Sequence, residues 1–270
     1  MTFEQTFARI TIAELSLGVV FLSAILIQFL IILRQHRATK SLVLSMGIIV
    51  TGMVIALILS AIGELYWLGP IPVGKQDSFF MAGFAMYFAG WLLGLSKFAN
   101  EIIRLPESRK AQFQNFNKVL SFLVMLSIAG IYFALAFPFT QFNSIRLVNL
   151  SFIIIASLAG FGFLFYYRVL GTEIDKNASK LIKARLQLIR YAIQLQLLLL
   201  LAIILGVSAE IIFKVSDAIA ETFIFGAITI VLCVSGLIFR WVIYIPNRIR
   251  MRFNLTATRF KYIQKIIAKH

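Results

Sequence analysis

Cysteine occurs once, at Cys233, and histidine only at His36 and His270. A single thiol forms neither an intramolecular disulfide nor a redox dithiol. Two imidazoles leave little for a zinc or haem ligand set, or for general base catalysis. Aspartate is nearly as scarce: Asp77, Asp175 and Asp217 are scattered through connections, so clustered-carboxylate metal chemistry has no home. A Ser-His pair and a GxxxxGK phosphate loop followed by Ser or Thr are lacking as well. The chain does not read as an enzyme, and no catalytic residue, metal or cofactor is expected of it.

Charge is also thin. Only 14% of the 270 residues are charged, 60% are hydrophobic, and the mean hydropathy is +0.92. Soluble domains run nearer half apolar and a quarter charged. The excess falls into seven runs, about 11–33, 42–65, 78–103, 119–138, 147–170, 186–213 and 219–245. A helix of roughly 20 such residues crosses a bilayer core of about 30 Å. The leader MTFEQTFAR has no basic excess and no A-x-A site follows, so the first run reads as a span rather than a cleaved signal. All five prolines (Pro70, Pro72, Pro106, Pro138 and Pro246) lie in loops or at run ends, so the helix interiors lack the strongest kinking residue. The broken helices from which transporters build midplane sites are not signalled.

The formal charge of +15 is unevenly laid out. All but four of the 26 Lys and Arg residues lie at the ends and connections after runs one, three and five, or in the tail. The four are Arg9, Lys75, Arg146 and Lys214, and they share their side with Glu4, Glu14, Glu64, Asp77, Glu210, Asp217 and Glu221. Basic loops stay cytoplasmic during insertion, which sets the N-terminus outside and the C-terminus inside. Membrane topology therefore accounts for the positive charge without nucleic acid. Tyr66 and Trp67 fall at the outer boundary, and Tyr166, Tyr167, Trp241 and Tyr244 at the inner one, as interfacial aromatics do.

The stretch LSAIGELYW ends the second run on an acid. Steps of four back from Glu64 reach Ser60, Ala56 and Gly52, a small-residue ladder that lets membrane helices approach closely. Glu210, Gly206 and Ala202 repeat the pattern in run six, Glu14 and Gly18 in run one, and Glu221 opens run seven. Glu14, Glu64, Glu210 and Glu221 are thus the candidate lining of an outward-facing acidic pocket for a small cationic ligand or protons. The plain alternative is acids facing water at helix ends.

Toward the inner side, Gln28, Lys97, Glu101, Arg190, Gln194 and Arg240 lie at similar depth. They are candidates for a polar layer holding the third, sixth and seventh spans in one of two arrangements, as a switch requires. Snorkelling of the cations to the interface is the simpler account. Run seven holds no lysine for a retinal Schiff base. Gly90 and Gly94 form a GxxxG packing seam. Between runs five and six, Gly171 is expected to end one helix, with Thr172, Asp175 or Asn177 capping the next.

After Pro246 the tail carries seven Lys/Arg and no acid. Ile249, Phe253, Thr256, Phe260, Ile263 and Ile267 recur at helical spacing in it. An amphipathic helix over 246–270 is expected to lie on the inner leaflet, with Arg248, Arg250, Arg252, Arg259, Lys261 and Lys265 on anionic headgroups.

The expectation is an all-α membrane protein of the cell membrane. A seven-helix domain fills residues 1–245, followed by the basic surface helix. It reads as a receptor-like or sensor-like module signalling through a cytoplasmic partner. The alternatives are a cation, proton or small-solute transporter or channel, and a non-catalytic scaffold subunit of a membrane complex.

Overall fold

The computed structural model describes residues 2–35, 40–69, 76–99, 141–176, 180–213 and 217–245, together with Met125. Among them are helices and no strands: α1 (Phe3–Gln35), α2 (Lys40–Glu64), α3 (Gln76–Phe98), α4 (Gln141–Lys176), α5 (Lys180–Phe213) and α6 (Asp217–Ile243). Side chains are described from residue 156 on α4, up to 203 on α5 and from 222 on α6. The expected fourth span over 119–138 and the expected tail helix over 246–270 lie outside the described residues.

Five of these helices are long and apolar enough to cross a membrane: Phe3–Arg34, Lys40–Glu64, Phe79–Phe98, Lys180–Ile203 and Thr222–Ile243. Helices suit such sequences because each backbone N–H and C=O is satisfied within its own segment. Helix α4 encloses the expected fifth span. Every helix begins or ends beyond its apolar run, since polar flanks continue a hydrogen-bonded ladder at little cost.

Helix α2 stops in a single 3-10 turn, Leu65–Leu68, and then Gly69 adopts a φ of 95°. That left-handed conformation favours glycine, and Pro70 behind it cannot continue a helix. The connection after α4 differs from expectation. Gly171 does not end the helix, which runs on to Lys176. A Cβ at Gly171 would lie 3.4 Å from the Arg190 guanidinium carbon, so the missing side chain makes room for Arg190 instead of a turn.

The helices form a closed ring in the order α1, α2, α3, α4, α5, α6, with α6 returning to α1. Glycine contacts fix the directions. Gly63 faces Phe80, Gly52 faces Gly90 and Gly94 faces Ile49, so α2 and α3 are antiparallel. Gly18 meets Leu57 and Gly47 approaches Phe29, which makes α1 antiparallel to α2. Gly18 also meets Thr229, and Gly236 meets Leu22, so α1 and α6 run in parallel. Gly160 faces Leu200 and Gly171 faces Arg190, so α4 opposes α5. Gln196 bonds Ser235 while Leu200 and Ile203 share a cavity wall with Ile228, so α5 opposes α6. Around this ring α3 and α4 point the same way, and residues 98 and 141 sit at opposite ends of the bundle.

The two ends differ in charge. One carries Arg34, Lys40, Lys97, Lys176, Lys180, Lys183 and Arg240, with Glu173 and Asp175 among them. The other carries Glu4, Glu14 and Glu64, and the ends of α5 and α6 that hold Glu210, Asp217 and Glu221, with Arg9 and Arg146. In the middle Trp91 of α3 is fully buried, edge-on to Phe163 of α4 and Phe239 of α6, both at 5.2 Å between ring centres. Such edge-to-face pairs add about 0.5–1.5 kcal/mol each beyond burial. Helix α3 is thereby the pillar against which the ring closes.

Candidate functional site

The α2–α3 seam sets the position of Glu64. Gly52 and Gly90 lie backbone to backbone: a Cβ on Gly52 would be 2.9 Å from the Gly90 Cα and from the Met86 carbonyl oxygen. Gly83 packs on the Ala56 carbonyl and beside Ser60. The small-residue ladder below Glu64 therefore faces α3, and Glu64 is 1% exposed.

Glu14 belongs to the neighbouring seam. Thr11 Oγ1 lies 2.9 Å from Thr222 Oγ1 of α6 and donates to the Phe7 carbonyl when it is not the donor to Thr222. One turn deeper, a Cβ on Gly226 would meet Glu14 Oε2 at 3.0 Å. Gly226 thus allows the Glu14 side chain, half-buried overall, to lie against the α6 backbone. Its Oε2 is buried and makes no hydrogen bond among the described residues. The next turn pairs Gly18 with Thr229, whose buried Oγ1 likewise lacks a hydrogen bond.

Glu14 and Glu64 occupy the same end of the bundle. Phe80 lies on Gly63 and meets Phe225, next to Gly226, with ring centres 4.9 Å apart and planes tilted by 45°. Gly18 and Leu57 share a level, and Glu64 is seven residues from one while Glu14 is four from the other. At 1.5 Å per residue, Glu14 lies about a turn deeper. Glu210 and Glu221 fall on helices reaching this end, with side chains outside the described residues; Ala202, two turns before Glu210, is exposed.

The inner polar residues do not form one layer among the described residues. Gln28 and Arg240 are exposed on the bundle surface, Lys97 is half-buried, and Glu101 lies outside the described residues. Arg190 and Gln194 do meet, on Tyr167 of α4. The guanidinium lies 4.1 Å over the tyrosine ring, and Gln194 Nε2 donates to its hydroxyl over 2.9 Å. A desolvated cation over an aromatic face is worth up to about 2 kcal/mol. Of the expected aromatic ring, Tyr166 is buried in the core, whereas Trp241 and Tyr244 are exposed. The six basic tail residues, Arg248, Arg250, Arg252, Arg259, Lys261 and Lys265, lie outside the described residues.

A polar connection that spacing did not single out lies deeper. Tyr87 of α3 donates its hydroxyl hydrogen to Gln196 Oε1 of α5, and Gln196 Nε2 donates to Ser235 Oγ of α6 over 2.6 Å. Gln196 and Ser235 are fully buried and Tyr87 nearly so. Beside it, toward the acidic end, is a small cavity of about 20 Å³ lined by Ser60, Gly83, Tyr87, Leu200 and Ile228 among others. A volume of that order holds about one water. The signal was present in QLQLLLLL: an amide between leucines in a membrane helix needs a partner. Residues two apart point to nearly opposite helix faces, so Gln194 and Gln196 serve different neighbours.

No family model, curated protein or solved structure matches this chain.

Proposed function

We propose that the protein is a receptor-like or sensor-like membrane protein that crosses the bilayer seven times. Its N-terminus is outside, and its acidic outer end responds to a small cation or protonated amine. The observation that carries this reading is the buried chain Tyr87–Gln196–Ser235, which joins the third, sixth and seventh expected spans below Glu14 and Glu64. Hydrogen bonds between membrane helices average about 0.6 kcal/mol and reach about 1.7. Bonds of that size can be exchanged when a ligand biases one of two packings, which is what a switch needs. The buried Glu14 oxygen that makes no hydrogen bond among the described residues is an acceptor suited to a cation or a proton.

Helix direction supports the seven-crossing topology. Since α3 and α4 run in parallel, α3 ends and α4 begins at opposite ends of the bundle, as a seven-crossing chain requires. The basic end is assigned to the cytoplasm by the distribution of Lys and Arg, which leaves the long α4–α5 hairpin there for a signalling partner.

The test is thermal unfolding of purified protein against sodium, choline and a panel of protonated amines at constant ionic strength. At least one cation is expected to raise the melting temperature, and Glu14→Gln and Glu64→Gln to shrink that rise. Equal curves for parent and variants across pH would refute the acidic site. Cation or proton flux in liposomes under an imposed gradient would favour the transporter reading instead.

A further inference from the structure

We propose that the groove between α1, α2 and α3 holds one acyl chain of an anionic phospholipid, its phosphate gripped by Arg34, Lys40 and Lys97. The groove has a volume of about 290 Å³ and opens on the outside of the bundle, where Leu30, Thr51 and Leu93 are exposed. Its lining on α2 runs from Leu44 to Ile55, about 16 Å at 1.5 Å per residue. That matches half of a hydrocarbon core of about 30 Å, the depth of one leaflet.

Small residues create the depression. Gly47 on α2 and Ala89 on α3 line it where larger side chains would fill it, and Gly52 and Gly90, in backbone contact across the seam, line it as well. The one hydroxyl on the wall is already satisfied, because Thr51 Oγ1 donates to the Gly47 carbonyl over 2.8 Å. A hydroxyl bonded to its own helix presents only its methyl group, so the groove suits hydrocarbon.

Charge identifies the headgroup. Each wall helix carries a cation one turn from a groove residue, always toward the basic end. Arg34 follows Leu30 by four on α1, Lys40 precedes Leu44 by four on the opposed α2, and Lys97 follows Leu93 by four on α3. Residues four apart share a helix face, so three cations stand over one end of one groove. Arg34 and Lys40 are exposed and Lys97 is half-buried. A phosphodiester over such a cluster, with its chain along the groove, satisfies both parts. A zwitterionic lipid gains less, since its own cation opposes the three. The inference is independent of which end is cytoplasmic and of any signalling role.

The experiment is native mass spectrometry of the full chain released from nanodiscs of equal phosphatidylglycerol and phosphatidylcholine. One phosphatidylglycerol is expected to stay bound in preference to phosphatidylcholine. Arg34→Ala with Lys40→Ala is expected to cut that preference by roughly five-fold per cation removed. Gly47→Leu is the filling variant, because a Cβ there meets nothing closer than Phe29 at 4.0 Å and the bundle need not move. It is expected to abolish retention while unfolding at the parent's temperature, and Thr51→Leu provides a second filling variant should Gly47→Leu unfold. Equal retention of both lipids, or retention untouched by filling and charge removal, overturns the proposal. So does a lipid-free dimer that Gly47→Leu dissociates, which would assign the groove to a second copy of the chain.

Discussion

Gln196 on α5 donates to Ser235 on α6 across 2.6 Å, with neither side chain reaching the surface. Because the same carboxamide accepts from Tyr87, one residue holds three helices. Removing it strands two hydroxyls inside the bundle. Gln196→Leu is expected to lower stability by about 1–2 kcal/mol, near the upper range for interhelical bonds in membranes. Unfolding in mild detergent with added SDS measures this. A cycle with Tyr87→Phe should show coupling, since the two share a bond. Additive losses would mean that the contact contributes nothing specific.

The α2–α3 seam makes a sharper test, because two glycines of one helix differ in surroundings. A Cβ on Gly52 would press on backbone atoms of Gly90 and Met86 at 2.9 Å, and backbone cannot rotate away. Gly47 has only Phe29 near, at 4.0 Å. Gly52→Ala should therefore cost about 1–3 kcal/mol as overpacking does. Gly47→Ala should be neutral or stabilising by up to about 1 kcal/mol from helix propensity. Similar melting temperatures for the two variants would contradict the close approach.

The ladder Gly52, Ala56, Ser60 and Glu64 was legible because period and residue size are sequence properties, and the helix face they predict is the one that packs. The helical class and the membrane-length runs were legible for the same reason. Partner identity was not. Gln194 and Gln196 look equivalent in QLQLLLLL, and only the ring order sends one to Tyr167 and the other to Tyr87 and Ser235. Gly171 misled because glycine both ends helices and vacates space for a large neighbour, here Arg190. Gln28 and Arg240 share a depth with Arg190 but lie on outward faces. Depth follows from counting along one helix, whereas azimuth depends on which helices are neighbours.

Trp91 should be the least replaceable core residue. It is fully buried and contacts aromatic rings from two other helices. Trp91→Ala is expected to cost about 3–5 kcal/mol, transfer and cavity terms together. Trp91→Phe should recover most of that. Comparing their midpoints with that of exposed Trp241→Ala, expected near the parent, separates packing from a general effect of losing tryptophan.

Gly226 offers a way to disturb Glu14 without altering its charge. Gly226→Ala would bring a methyl to 3.0 Å from Oε2, the far end of a flexible side chain. The carboxylate can swing away, so stability should change by less than about 1 kcal/mol while any cation-dependent shift in melting falls. A variant that loses stability but keeps the cation response would separate Glu14 from the proposed site.

The direction of α4 bears on every assignment of sides. Parallel α3 and α4 put Gly69 and Gln141 at one end, and Gln35 and Lys180 at the other. In a Cys233→Ser background, single cysteines at these positions can be labelled in sealed vesicles with a membrane-impermeant maleimide. Gly69→Cys and Gln141→Cys are expected to react from one side, and Gln35→Cys and Lys180→Cys from the other. If Gln141→Cys instead reacts from the side of Gln35→Cys, and Lys180→Cys from the side of Gly69→Cys, an even number of crossings separates α3 from α4. The acidic end would then be divided between two compartments, and Glu14 and Glu64 could not share a site with Glu210.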